Sequence, residues 1–114
     1  MDRDSAIDDA RLAIRLGFFD EARELLSPLP DRDPARLNLL GVILQAQGFP
    51  RAARRHFGKA FRADRTYAPA AQNLRRRFEL AAFGCTALPV ALGDERPHLA
   101  TLLRQLDALR RTNG

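Results

Sequence analysis

The chain has 114 residues, which is the length of one domain and too short for two. Hydrophobic residues make up 46% of the sequence, an ordinary fraction for a globular protein, and no apolar run is long enough to cross a membrane. The charged start is unlike a signal peptide, and the single cysteine, Cys85, cannot form an internal disulfide, so we expect a cytoplasmic protein.

Charge is distributed unevenly along the chain, whose formal net charge is +5. Residues 1–34 contain five arginines and nine acidic residues, whereas residues 35–79 contain ten basic residues and two acidic ones. Residues 80–114 are nearly balanced, with four arginines and three acids. An acidic head followed by a basic middle favours self-association, nucleic-acid contact or oriented docking on a partner.

Apolar residues recur at helical spacing through most of the chain, and strand signals are scarce. Asp33 before Pro34 is typical of a helix N-cap followed by proline in the first turn. Pro69 opens a predicted fifth helix that contains Leu74 and Phe78. The four preceding helices are predicted from apolar faces that comprise Ile7, Ala10, Ala13 and Ile14; Ala22, Leu25 and Leu26; Leu37, Leu40, Gly41 and Leu44; and Ala53, Phe57, Ala60 and Phe61.

The turns and small residues repeat at a nearly constant interval. Gly17 and Gly48 are 31 residues apart, and each of them separates two predicted helices. Leu40 and Leu74 are 34 residues apart. A period of this length with two helices in each unit is typical of a helical-hairpin solenoid.

Residues 34–67 resemble a tetratricopeptide repeat, because they carry Leu37, Leu40-Gly41, Leu44, the Gly48-Phe49 turn, Ala53, Phe57 and Ala60 at the positions of that pattern. Residues 3–33 match more loosely, and a third unit begins at Ala68 but is interrupted by Pro89. The resemblance, over residues 3–83, implies an all-α fold: a short solenoid of antiparallel helical hairpins with about two and a half repeats. It also implies a protein-binding role.

The chain after the array divides into two predicted segments. Residues 84–96 contain glycines and prolines without a helical pattern, and we expect a loop there. Residues 97–114 are predicted to form an amphipathic helix whose apolar face comprises Leu99, Leu102, Leu103, Leu106 and Leu109. We expect this helix to cap the open end of the array, near Leu74, Phe78 and Phe83, and to leave the groove free; docking on another chain is the alternative.

Residues that could carry catalysis are scattered rather than grouped. His56 and His98 have no second histidine or cysteine at metal-ligand spacing, and Cys85 follows a helix instead of opening one. The chain also lacks a glycine-rich phosphate loop. We therefore expect neither an enzyme nor a metal or other cofactor.

In a hairpin solenoid the first helix of each unit lines the concave side. We predict a partner-binding groove there, in which Leu39 and Val42 are apolar residues turned to the solvent. The groove suits an extended peptide or a helix, as expected of a small adaptor or chaperone-like binder. An open alternative is that residues 84–111 of the same chain fill it. The predicted groove comprises Ile7, Asp8, Arg11, Ile14, Arg15, Asn38, Leu39, Val42, Gln45, Gln72, Asn73, Arg76 and Glu79.

A second candidate surface is basic and consists of Arg51, Arg54, Arg55, Lys59 and Arg62 on the fourth helix. With the rest of residues 51–77 it could bind nucleic acid or another polyanion. The lack of aromatic residues interleaved with these arginines counts against base stacking. A further alternative is a self-assembling scaffold subunit, in which the acidic head of one molecule contacts the basic middle of the next.

Overall fold

The structure, a computed structural model, describes residues 2–95. Across these residues it has no strand and consists of five α-helices: α1 (Arg3–Arg15), α2 (Phe19–Leu26), α3 (Pro34–Ala46), α4 (Pro50–Ala63) and α5 (Ala68–Phe83). For residues 2–95, the predictions of an all-α fold and of five helices are confirmed. The predicted helix over residues 97–114 lies outside the described residues. None of the described helices is both long and apolar enough to span a bilayer.

The helices begin and end at residues whose chemistry suits those positions. Asp33 caps α3, where its carboxylate accepts hydrogen bonds from the amides of Ala35 and Arg36 at 2.9 and 3.2 Å, and Pro34 occupies the first turn. Gly84 ends α5 with a φ of 74°, in the left-handed region that glycine adopts without strain. The N-cap predicted at Asp33 is therefore confirmed.

Consecutive helices pack against one another in pairs. α1 packs on α2 and α3 packs on α4, while α5 packs on α4. Gly17 and Gly48 occupy equivalent places in the two short turns and have φ values of 81° and 90°. The central helix α3 also contacts α1, α2 and α5, so neighbours surround it.

Because α3 is surrounded, two expectations about its faces are wrong. Leu39 and Val42 were expected to face solvent in the groove, but both are buried in the main hydrophobic core. α3 is buried over most of its surface, and its partly exposed side carries Arg36, Leu40 and Leu44, which are half-buried. The repeat pattern therefore placed the solvent-facing side of α3 on the wrong residues.

An ion pair connects the beginnings of α1 and α3. Arg3 Nη2 lies 3.0 Å from Asp33 Oδ1, and Arg3 Nε contacts the other carboxylate oxygen. Burial alone would raise the pKa of Asp33, but the Arg3 guanidinium and the amides of Arg36 and Ala35 outweigh it and lower the pKa. Asp33 therefore stabilises the fold most above the ordinary carboxyl pKa, and this contribution is lost as the pH falls through its lowered value.

Residues 85–95 contain neither helix nor strand, which agrees with the predicted loop. They do not project into solvent, however. The part from Leu88 to Asp94, here called the strap, lies across α5, α3 and α1 in that order. The strap therefore defines a site along the first helices of the three predicted units.

Candidate functional site

Two buried asparagines form the centre of the site. Asn38 on α3 and Asn73 on α5 are 0% and 1% exposed, and Asn73 Nδ2 donates to Asn38 Oδ1 at 2.8 Å. Asn73 also contacts the main chain of Ala91 twice, since its Oδ1 accepts from the amide and its Nδ2 donates to the carbonyl, both at 2.8 Å. Asn38 Nδ2 donates to the same carbonyl at 3.0 Å. The pair therefore binds one residue of extended backbone by both of its polar groups.

Three further side chains donate to carbonyls on either side of Ala91. Arg76 Nε lies 3.1 Å from the carbonyl oxygen of Leu88, and Gln72 Nε2 lies 2.9 Å from that of Pro89. At the other end, Arg11 Nε lies 2.9 Å from the carbonyl oxygen of Leu92. Together with the asparagines, these donors pair four of the five strap carbonyls from residue 88 to residue 92. Contacts of this kind recognise main chain, which is common to all sequences.

The side chains of the strap supply the apolar part of the contact. Ala91 is 4% exposed, Leu92 belongs to the main hydrophobic core, and Val90 packs against that core. Burying one leucine side chain contributes roughly 1.5–3 kcal/mol. The strap is thus bound by burial as well as by hydrogen bonds.

Gly93 occupies a place that only glycine fits. Its φ is 106°, and a Cβ atom there would lie 2.7 Å from Nη2 of Arg11 and 2.9 Å from the hydroxyl oxygen of Tyr67. The backbone conformation therefore strains any other residue, and an added Cβ would also have to displace the side-chain tips of Arg11 and Tyr67.

An ion pair holds the far end of the strap on α1. Arg15 donates from both terminal nitrogens to Asp94, at 2.8 and 2.6 Å. This bidentate hydrogen bonding lowers the pKa of Asp94, so its carboxylate remains charged to a lower pH than usual. The strap therefore begins at α5 and ends beside α1.

The structure brings together part of the predicted groove. Six of the thirteen predicted residues contact the strap: Arg11, Arg15, Asn38, Gln72, Asn73 and Arg76. Glu79 accepts a hydrogen bond from Thr86 Oγ1 just before the strap. Ile7, Ile14, Leu39 and Val42 are buried, Gln45 is half-buried and Asp8 is exposed.

The expectation that the groove stays free is wrong, because the chain's own residues 88–94 occupy it. The alternative that residues 84–111 of the same chain fill the groove is correct for residues 88–94. The residues of the strap were missed as functional because an irregular segment has no periodicity that would place it on the helices. One signal was available: Asn38 and Asn73 are polar residues on the first helices of two predicted units, 35 residues apart and thus one residue out of the 34-residue step.

The predicted basic surface is exposed on α4. Arg51, Arg54, Arg55, Lys59 and Arg62 are all exposed, and none of them forms an ion pair with another described residue. Their helix borders a groove with α5, here called the basic groove, which contains two cavities of about 570 and 540 Å³. Its lining includes Arg51, Arg54, Phe61, Leu74, Arg77 and Phe78. Aromatic side chains therefore lie beside the arginines, Phe61 from α4 itself and Phe78 from α5, contrary to the expectation that none do.

Residues 2–95 contain no group of three or more histidine, cysteine or acidic side chains placed to hold a metal ion. Cys85 is an exposed free thiol. The chain matches no known family model, no curated protein and no solved structure.

Proposed function

We propose that this protein is a protein-interaction module of the tetratricopeptide-repeat type, a small adaptor or chaperone-like binder in the cytoplasm. Its groove along α1, α3 and α5 binds an extended segment of a partner by the main chain. The observation that supports this proposal is the set of side chains that pair the carbonyls of the strap, above all the buried Asn38–Asn73 pair.

The asparagine pair supports binding because its polar groups converge on one main chain. With a segment in the groove, Asn73 Oδ1 is buried and accepts from the amide of Ala91. A segment without that amide would leave a buried polar group unpaired, which costs about 1–3 kcal/mol, so the pair favours a main chain that can donate there. Main-chain pairing gives affinity, while the buried side-chain positions of Ala91 and Leu92 give selectivity.

The strap is a built-in competitor for the partner. A segment of the same chain competes at an effective concentration on the order of millimolar. A partner segment therefore has to bind more tightly than the strap or to reach a molecule whose strap is released. Selectivity follows from this competition, because weakly matching segments do not displace the strap.

A peptide-binding measurement tests the proposal. The variant Ala91→Arg places a long charged side chain at a buried position, which should expel the strap and empty the groove. A fluorescent peptide with the sequence of residues 86–95 should bind this variant saturably in an anisotropy titration. A peptide methylated on the amide nitrogen of its Ala91 equivalent should bind at least about tenfold more weakly, because it cannot donate to Asn73 Oδ1.

The unaltered chain is the matched control, since its strap should reduce binding of the same peptide. Circular dichroism of Ala91→Arg establishes that the helices persist in the variant. If the helical variant binds no peptide, or binds the methylated and unmethylated peptides equally, the groove does not recognise main chain and the proposed function is wrong.

A further inference from the structure

We propose that the basic groove between α4 and α5 binds the acidic end of a second copy of this chain, so that the protein associates head to tail. The basic groove shares α5 with the asparagine pair but is lined by different residues of that helix, Leu74, Arg77 and Phe78, and the proposal does not depend on the proposed function. Charge complementarity and exposed apolar area at both ends support it.

The basic groove has the chemistry of an interface core with a charged rim. Phe78 is 65% exposed and lies beside Leu74 in one of the two cavities. Arg51 and Arg54 border both cavities and pair with no acidic group among the described residues. Exposed apolar area surrounded by polar residues marks interaction sites, and unpaired arginines select an acidic partner.

The opposite end of the molecule carries the complementary surface. Leu12 on α1 and Leu16 at its C-terminal cap are 58% and 59% exposed, and Phe18 follows them. Asp9 lies on the same side of α1, because it is three and seven residues before the two leucines. The neighbouring helix α2 exposes Glu21 and other acidic residues. We call this surface the acidic end, defined by Asp9, Leu12, Leu16, Phe18 and Glu21.

Residues 96–114, whose predicted helix was expected to cap Leu74 and Phe78, match the basic groove in apolar character but not in charge. They contain four arginines and one acidic residue, so their charge has the same sign as the groove. The strap also ends beside Arg15 on α1, whereas the groove lies between α4 and α5. A second copy's acidic end supplies the opposite charge together with apolar side chains.

Contacts between two different surfaces of one molecule are heterologous, and they extend into open chains unless the rotation between neighbours closes a ring. Head-to-tail association should therefore produce a series of oligomers that grow with concentration. Because the contact depends on charge, added salt should weaken it.

Two variants that each disable one surface test the proposal. The double substitution Leu12→Ser/Leu16→Ser alters only the acidic end, and Arg54→Ser/Phe78→Ser alters only the basic groove. All four side chains are exposed, so the fold should be unaffected. Sedimentation equilibrium should show the unaltered full-length chain growing beyond a dimer as concentration rises from about 10 µM to about 1 mM, the range of weak interfaces.

Each variant alone should lose at least about tenfold in association constant. Mixed in equal amounts, the variants should form one-to-one dimers and nothing larger, because the mixture pairs one intact acidic end with one intact groove. Arg65→Ser, which removes an exposed arginine outside both surfaces, should associate like the unaltered chain.

The proposal fails if the full-length chain remains monomeric throughout, as it would if residues 96–114 covered one of the surfaces. It also fails if the mixed variants form no dimer. A third result would also contradict self-association: the chain stays monomeric but binds a single-stranded oligonucleotide, and the binding is lost when Arg54 is replaced. The basic groove would then be a polyanion site.

Discussion

Replacing Gly41 with alanine is expected to lower the free energy of unfolding by about 2 kcal/mol. A Cβ atom at this position of α3 would lie 2.5 Å from a ring carbon of Phe57, which is completely buried in α4. Overpacking of this kind costs about 1–3 kcal/mol, and the better helix propensity of alanine recovers at most about 1 kcal/mol of it. Thermal denaturation should show a melting temperature lowered by about 10 °C. Bulkier residues should destabilise further.

The chain contains a matched control for this substitution. Gly58 is also inside a helix, but the nearest atom to its added Cβ would be the guanidinium tip of Arg62, at 3.4 Å. Gly58→Ala should therefore leave stability unchanged or raise it by about 0.5–1 kcal/mol. Equal stability of the two variants would show that α3 and α4 do not cross closely at Gly41.

Replacing Asn73 with leucine is expected to destabilise the protein by about 3 kcal/mol. Leucine has a similar size, so the main loss is in hydrogen bonds. The amide of Ala91 and Oδ1 of Asn38 each lose their partner in a buried place, and each unpaired group costs about 1–3 kcal/mol. Urea denaturation followed by circular dichroism measures the change, as a lower midpoint.

Gln72→Leu is the control for the loss of a strap contact. Gln72 donates to the carbonyl of Pro89, but this hydrogen bond is exposed and water can replace it. The change should therefore be within about 1 kcal/mol. Equal effects of the two substitutions, or no effect of Asn73→Leu, would contradict the importance assigned to the asparagine pair.

The helices could be predicted from the sequence because their signals are local. Asp33 before Pro34 is a helix cap, and it depends on neighbouring residues only. In α1 and α4 the spacing of the apolar residues indicates which face of the helix is buried. Asn38 and Asn73 had both been assigned to the predicted groove, and in the structure they meet each other and the main chain of Ala91.

The strap could not be predicted from the same signals, because its position depends on contacts distant in sequence. Ala91 meets Asn38 across 53 residues, and nothing in the segment around it repeats. Pro89 indicated only that a helix is interrupted there. Leu39 and Val42 were misplaced for a related reason: the repeat pattern assumes a solvent-facing side, whereas α3 is covered by four other helices.

Hydrogen exchange at the amide of Ala91 tests most directly whether the groove holds an extended main chain. This amide donates to the buried Oδ1 of Asn73, so it should exchange at least about a hundredfold more slowly than in a free peptide of residues 86–95. In Asn73→Leu the protection of Ala91 should be lost while amides within α3 and α4 remain protected. Exchange of Ala91 at the free-peptide rate in the unaltered chain would contradict the account.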